Sequence, residues 1–562
     1  MSPKRQGERG DDSAESQTLS MRGHFRDGSR ETSGPPEKDG PAKEGEQPKL
    51  RMNGPEESDN RVVPEKWANK TVVEATEAES MEGRRLAKGN AEQDAVNRTQ
   101  GRKGSSIGLQ GVREVARKRK WEKFTALLHH VNVDLLRASF YRLKKDAAPG
   151  VDGETWRQYE VGLEGRVKEL HDRVHGGTYR VQPSKRAYIP KPGGGMRPLG
   201  IAALEDKIVQ QAVKEVLTQI YEEDFHGHSY GYRPGRSQHD ALDALSVGLM
   251  RRVSWVLEAD IQGFFDTMDH GWLLKFIQYR VADRRILRLI AKWLKAGVTE
   301  EGTWRKTEVG TPQGSAISPL LANIYLHYVL DEWVQRWKEE VAGGDVMIVR
   351  YADDFVVGFQ HLADAERFLR ELKSRMEAYG LALHPGKTRI IEFGRYAEQN
   401  RGGRGQGKPE TFDFLGFTHY CGKTMKGKFA VKRKTVAKRM AAKLAEVGDE
   451  LKARRHQPMA EVASWLGSVV RGYFNYHAVP GNSVAIQSFR KQVCRAWLRA
   501  LRRRSQKGKR LSWEKFSRHI QPLLPVARIL HPYPNVRFFA NHLRQEPCAS
   551  IAHARICAGG AG

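Results

Sequence analysis

The sequence predicts an α+β protein followed by a helical bundle, with a long opening stretch that forms no core. From about residue 120 to 425, short apolar strands alternate with helical patterns, and from about 430 the pattern turns purely helical. Residues 1–110 are rich in Gly, Glu, Lys, Ser, Asn and Arg and poor in aliphatics. Such a stretch cannot bury enough apolar surface to offset the entropy of ordering, so it is expected to be disordered. At 562 residues the chain has room for three or more domains.

Order is expected to begin near Trp121-Glu122-Lys123-Phe124-Thr125-Ala126-Leu127-Leu128. That stretch reads as helical, and a second helical pattern follows through Leu135, Leu136, Phe140, Tyr141 and Leu143. Turn formers end it at Ala148-Pro149-Gly150-Val151-Asp152-Gly153. Residues 186–190 read as a strand closed by a glycine loop, and Trp255-Val256-Leu257-Glu258-Ala259-Asp260 as another. A third, 346–350, turns at Tyr351-Ala352-Asp353-Asp354 and returns as 355–359. Leu362, Ala365, Phe368, Leu369, Leu372 and Met376 recur at helical spacing, with Gly380 as the cap. These parts predict an antiparallel sheet with helices on one side. Beyond 430, Val436, Met440, Leu444, Val447 and Leu451 mark the apolar face of the first of three basic amphipathic helices.

Lys and Arg number 95 against 67 Asp and Glu, a net charge of +28. That excess favours a polyanionic partner. Nucleic acid is preferred over a membrane, because no uninterrupted apolar run approaches the length of a spanning helix. The opening residues lack the apolar core of a secretory signal, and their acids argue against a transit peptide. The four cysteines form no Cys-x-x-Cys pair, so neither a disulfide framework nor a zinc ribbon is expected. Cys548, His553 and Cys557 offer only three ligands at spacings that fit no familiar template, and read as an ordinary reduced terminus.

Phosphoryl transfer needs charge neutralised on the attacking and leaving oxygens, which two Mg²⁺ ions held by carboxylates supply. One suitable scaffold presents an Asp at a strand end and further Asp residues at an adjacent hairpin tip. Asp260 ends a strand, and Asp353 and Asp354 lie between two apolar strands, where like charges repel unless a cation sits among them. Asp also favours plain solvated turns, so the tetrapeptide alone decides little.

The ordered blocks around it do more. They run from Ala148-Pro149-Gly150-Val151-Asp152-Gly153 through Ile189-Pro190-Lys191-Pro192-Gly193-Gly194-Gly195-Met196-Arg197-Pro198-Leu199-Gly200 to Phe225-His226-Gly227-His228-Ser229-Tyr230-Gly231-Tyr232-Arg233-Pro234-Gly235-Arg236-Ser237. Asp260-Ile261-Gln262-Gly263-Phe264-Phe265-Asp266 and Gly310-Thr311-Pro312-Gln313-Gly314-Ser315-Ala316-Ile317-Ser318-Pro319 follow. The Tyr351 hairpin, Gly380-Leu381-Ala382-Leu383-His384-Pro385-Gly386-Lys387-Thr388 and Phe412-Asp413-Phe414-Leu415-Gly416-Phe417 complete the series. From about residue 120 to 505 the chain closely resembles the reverse transcriptases encoded by group II introns.

The resemblance implies a right-hand polymerase of fingers and palm followed by a helical thumb, or maturase, domain. It divides the chain into an extension at 1–110, N-terminal helices and fingers at 111–250, and a palm at 251–425. The thumb would occupy 426–510, and 511–562 would be a tail with room for a short DNA-binding segment. It makes Asp260, Asp353 and Asp354 the ligands of two Mg²⁺ ions, with the Ile261 carbonyl as an addition, and Lys387 the proton donor to the leaving pyrophosphate. Lys191 and Arg197 would hold the triphosphate, and Gln313 would contact the incoming nucleotide. Phe265 would set a ring against the sugar and exclude a 2′-hydroxyl. The turn Phe414-Leu415-Gly416 would position the primer, and Arg471, Lys491 and Arg495 would face RNA.

The activity so implied is RNA-directed DNA synthesis with assistance to splicing and mobility of the intron. Intron RNA would be both template and splicing substrate, a DNA target would act as primer, and deoxynucleoside triphosphates would be consumed. A bacterial cytoplasmic setting is expected, no membrane partner is, and a homodimer is left open. Many members of the family end in a His-Asn-His endonuclease with paired cysteines, which this sequence lacks, so second strands would be primed by another route. The alternatives are a retron-like or antiviral-defence reverse transcriptase, and a splicing cofactor without catalysis. Intact Asp260, Asp353, Asp354 and Gln313 argue against the last.

Overall fold

A computed structural model describes residues 102–545 apart from 191–194, 301, 307–308 and 312–313. Residues 1–101 and the expectations placed on Lys191, Gln313, Cys548, His553 and Cys557 lie outside the described residues. The first helix, α1 (Arg102–Lys118), begins within the last residues of the stretch expected to be disordered and runs on into the region where N-terminal helices are expected. Val112 and Ala116, one turn apart, are buried in the main core, and Arg113 pairs with Glu223 at 2.7 Å. A few apolar residues suffice here because a partner surface is supplied from a distant part of the chain.

The next segment departs from the helical expectation. Phe124 forms a bridge with Val281, and its N–H donates to the Arg280 carbonyl at 2.9 Å. The Leu127 and Leu128 amides donate to the buried Asp283 carboxylate at 2.7 and 2.9 Å, leaving only a 3-10 turn, Leu128–His130. Tertiary hydrogen bonds therefore win over local propensity. Helix α2 (Val133–Arg142) is capped by Asn132, whose side chain accepts from the Leu135 amide; α3 (Leu163–His175) follows.

Strands β1 (Ser184–Pro190) and β2 (Met196–Ile201) lead to α4 (Leu204–Asp224), α5 (Gln238–Leu249) and β3 (Trp255–Asp260). Then come α6 (His270–Gln278), α7 (Arg284–Lys295), β4 (Val298–Glu300) and β5 (Thr303–Arg305). The first four-stranded sheet has the order β2-β1-β4-β5, with β1 and β4 parallel. Helix α4 carries buried residues nearly all round, including Ile208, Val209, Ala212, Val213, Val216 and Leu217, as a central core helix must.

Helix α8 (Ser318–Leu326) passes through a π-turn, His327–Asp331, into α9 (Glu332–Glu340). A second four-stranded sheet, order β6-β7-β3-β8, is antiparallel throughout and consists of β6 (Val346–Tyr351), β7 (Asp354–Phe359), β3 and β8 (Arg389–Glu392). Between β7 and β8 lies α10 (Leu362–Ala378), ended by Gly380 in the left-handed region.

Leu257, Phe355 and Val357 face the main core, whereas Val256, Val349 and Val356 face a second core with Leu242, Leu245 and Leu249 of α5. Helices thus cover both faces of the sheet, not one side only. The central strands read as unbroken apolar runs for that reason, and such runs do not reveal how many faces are covered.

A three-stranded sheet, β9 (Phe412–Phe414), β10 (Phe417–Lys423) and β11 (Phe429–Thr435), leads to the C-terminal helices. Lys432, Arg433 and Lys434, read as helical, lie on β11, and buried Arg433 pairs with Asp243 at 3.2 Å. A C-terminal helical region follows, made of α11 (Ala437–Ala453), α12 (Met459–His477) and α13 (Ser483–Arg502). Val447, Leu451, Leu466, Phe489, Val493 and Trp497 form its separate core. A last helix, α14 (Pro534–Gln545), returns to α5 through Arg537 and Asp243 at 2.5 Å.

Candidate active site

Asp260 is the last residue of β3 and stands directly across the ladder from Asp354, the first residue of β7. Cross-strand partners share one face, with Cβ atoms about 4.5–5.5 Å apart. Tyr351 pairs with Asp354 on the other side, so Ala352 and Asp353 form a two-residue turn beside them. The structure brings the three predicted aspartates to one sheet end, with Asp354 exposed and Asp353 half-buried. Three carboxylates offer an all-oxygen donor set of the kind that hard divalent cations take. Lys387 lies against them, its Nζ 2.6 Å from Asp260 Oδ2, so an ammonium occupies part of the space where a cation would balance the charge. The residues fit a divalent metal centre.

Beyond Asp260 the chain leaves the ladder. The Asp260 carbonyl accepts from the His384 amide at 2.8 Å, and Ile261 bridges to Leu383. A short helical turn, Phe264–Thr267, then buries Phe264 in the core and leaves Phe265 half-buried above it. The Thr311 amide donates to the Phe265 carbonyl at 2.7 Å. Gly310 is required there: its φ is +82° and a Cβ would meet the Phe265 carbonyl oxygen at 2.7 Å. Ser315 Oγ donates to Gln210 Oε1 of α4 at 2.8 Å, fixing the other end of the same loop. Arg197 lies exposed on β2, paired across the β1–β2 hairpin with Ile189.

The hairpin of Asp353 rests on residues that the motif reading passed over. Arg350 and Asp331 are fully buried. Arg350 Nε and Nη2 donate to the two Asp331 carboxylate oxygens at 2.8 and 2.5 Å. Its Nη1 donates to Asn323 Oδ1 and to the Ala352 carbonyl, both at 3.0 Å. Burial works to raise the Asp331 carboxyl, but the Arg350 guanidinium and His228 overcome it and hold the group far below the usual carboxylate range.

The block around Tyr230 is a strut for the same turn. Arg350 donates to the His228 carbonyl and accepts from the Tyr230 amide, both at 2.9 Å. Asn323 Nδ2 donates to the Gly231 carbonyl at 2.8 Å. A Cβ on Gly231 would lie 2.3 Å from the Ala352 nitrogen, so only glycine lets this loop reach the turn. Ala352 itself has φ +58°, which costs roughly 1–2 kcal/mol for a non-glycine residue and persists because these contacts over-determine it. A charge inside the apolar strand 346–350 was the available signal.

Leu415 and Gly416 form a second two-residue turn, with φ +46° and +79°. The Leu415 carbonyl accepts from Tyr476 Oη at 2.7 Å, which docks this turn on α12. Phe414 and Leu415 are themselves buried. On the C-terminal helices, Arg471, Lys491 and Arg495 are all exposed, the latter two one turn apart on α13. Other basic residues of this region are committed to backbone. Arg490 donates to the Pro525, Gln521 and Leu524 carbonyls, and Arg502 to the Leu511 carbonyl.

Residues 189–419 match the family described as reverse transcriptase (RNA-dependent DNA polymerase). Protein YkfC of Escherichia coli K12 is 37% identical over 278 residues, spanning 43% of this chain and 72% of that protein. The group II intron-encoded protein LtrA of Lactococcus lactis subsp. cremoris is 44% identical over 221 residues, 39% of this chain and 36% of its own length. The putative COX1/OXI3 intron 1 protein of Saccharomyces cerevisiae is 28% identical over 307 residues, 46% of this chain and 37% of that protein. The matches to these two intron proteins therefore cover little more than a third of each. Among the described residues no helix is long and apolar enough to cross a membrane. With 37% identity over 72% of YkfC, and 44% identity to part of LtrA, the chain belongs to the group II intron-encoded reverse transcriptase and maturase family.

Proposed function

We propose that the chain is an RNA-directed DNA polymerase centred on Asp260, Asp353 and Asp354, with a thumb that binds intron RNA and assists its splicing and mobility. The observation that carries this reading is the cross-strand opposition of Asp260 and Asp354, beside Asp353, at the end of an antiparallel palm sheet. Two Mg²⁺ ions held by these carboxylates, with the Ile261 carbonyl as a further ligand, would supply the charge neutralisation that phosphoryl transfer needs. The remaining work falls to the chain's own side chains. Lys191 and Arg197 hold the triphosphate of the incoming deoxynucleotide, Gln313 contacts that nucleotide from the palm, and Phe265 bars a 2′-hydroxyl. Lys387 donates a proton to the departing pyrophosphate. The Phe414-Leu415-Gly416 turn positions the DNA primer, and Arg471, Lys491 and Arg495 engage RNA phosphates.

Primer extension on a generic RNA template with Mg²⁺ and deoxynucleotides tests the reading. Asp353→Ala is expected to abolish extension while RNA affinity stays nearly unchanged, because the lost group holds metal and not RNA. Extension by that variant at the parent rate would refute the assignment. A folded parent that restores splicing yet extends nothing would make the chain a splicing cofactor.

A further inference from the structure

A separate cluster, which the polymerase reading does not use, lies at the π-turn. We propose that His226, His327 and Glu332 form a binding site for a divalent transition-metal ion of the zinc class. Glu332 Oε1 stands 2.9 Å from His226 Nε2 and 3.4 Å from His327 Nε2, and one donor atom from each residue lies within 4.8 Å of the others. Ligands about 2.0–2.1 Å from a tetrahedral ion are themselves about 3.3 Å apart, so the set closes on an ion with small adjustments. Two imidazole nitrogens and one carboxylate oxygen suit zinc, cobalt, nickel or copper, whereas magnesium and calcium take oxygen alone.

The backbone prepares this convergence. His327 and Glu332 are five residues apart, and in a regular α-helix that spacing turns their side chains about 140° away from each other. The π-turn, in which the Glu332 amide donates to the His327 carbonyl, adds the residue that brings both to one side. His226 arrives from the loop after α4, which buried Arg233 clamps: Nη1 donates to the His226 carbonyl at 2.7 Å and to the Ser229 carbonyl at 2.8 Å. Both imidazoles are 4% exposed, while the Glu332 side chain is 31% exposed. The carboxylate side thus gives an ion its entry path and leaves a position for water. The site adjoins Asp331, the partner of Arg350, so a bound ion would stiffen the π-turn from which the catalytic hairpin is held.

The same distances describe two hydrogen bonds to one carboxylate, and metal binding by the full chain separates the two accounts. Protein stripped with EDTA and dialysed into Mg²⁺ buffer is given one equivalent of Co²⁺. The expected result is the strong visible absorption of four- or five-coordinate Co²⁺, abolished by an equivalent of Zn²⁺ that then survives gel filtration. His327→Gln should weaken Zn²⁺ binding by a factor on the order of ten or more, and Asp353→Ala should leave it unchanged. X-ray absorption at the zinc edge of the parent protein should show two imidazole ligands. Failure of the parent to retain zinc, coordination by oxygen alone, or unchanged retention by folded His327→Gln overturns the proposal. None of these readouts is DNA synthesis, so a negative result leaves the polymerase reading standing.

Discussion

Replacing Arg350 with Met tests whether the buried ion pair sets the catalytic hairpin. The substitution keeps the unbranched apolar stem of the side chain but removes the guanidinium and with it four hydrogen bonds: two to Asp331, one to Asn323 and one to the Ala352 carbonyl. Asp331 would remain buried without its guanidinium, and breaking such a pair from one side costs about 3–5 kcal/mol. His228 Nε2, 3.4 Å from Asp331 Oδ1, offsets part of that cost. Freed from Arg350, the turn at Ala352 can relax from its left-handed conformation, and a displacement of about 1 Å at reacting groups costs on the order of 10²-fold in rate. Urea unfolding should therefore show the loss of stability. Primer extension across a Mg²⁺ titration should show a lower kcat and a higher Mg²⁺ requirement, with little change in the KM for deoxynucleotide.

The double variant Arg350→Met, Asp331→Leu separates holding the turn from holding the fold. An apolar pair of similar volume often restores the stability lost with a buried ion pair. It cannot replace the bond to the Ala352 carbonyl, so activity should stay low. A folded Arg350→Met protein with parental kcat and Mg²⁺ dependence would refute the reasoning.

Other expectations follow from individual groups. Phe265→Ala should admit ribonucleotides, read as extension with ribonucleoside triphosphates; unchanged discrimination would remove Phe265 from that role. RNA affinity should fall steeply with added salt, and replacing Arg471, Lys491 and Arg495 together should flatten the log–log slope, by up to about 0.7 per contact on single strands. A slope close to zero in the parent would contradict phosphate contact. Acidification should destabilise the fold before the carboxylates titrate. Burial, then the neighbouring His531, pushes His239 down to about 4, and burial, then Arg439, pushes His477 down to about 3, from an ordinary 6.5. Both folded values are depressed, so below about 6.5 the unfolded chain takes up protons that the folded chain refuses. Stability is complete above that pH and is lost towards pH 4, by at most about 1.4 kcal/mol per pH unit for each histidine. Urea midpoints at pH 7, 6 and 5 check this, and His239→Gln should reduce the slope.

Local order in the chain was enough to read the palm strands 255–260 and 346–359, the helix capped by Gly380, and the apolar faces of the thumb. Each rests on periodicity or a turn residue within a few positions. The three aspartates stand out in the sequence for the same reason: a strand end and a hairpin tip are local features, and the metal chemistry proposed for them calls for carboxylates there. Their opposition across the ladder is a matter of register between β3 and β7, which lie almost a hundred residues apart, and only the folded sheet decides it. Other departures have the same cause. Residues 121–127 are drawn into an extended path by Asp283, Lys432 to Lys434 pair as a strand with β10, and α1 folds on surface supplied by α4. Arg350 and Asp331 carry no visible pattern because their meaning is a buried pairing of opposite charges, and a desolvated charge is tolerable only where its partner already stands. Short-range periodicity is written in the order of residues, whereas burial and long-range partners exist only once distant segments have met.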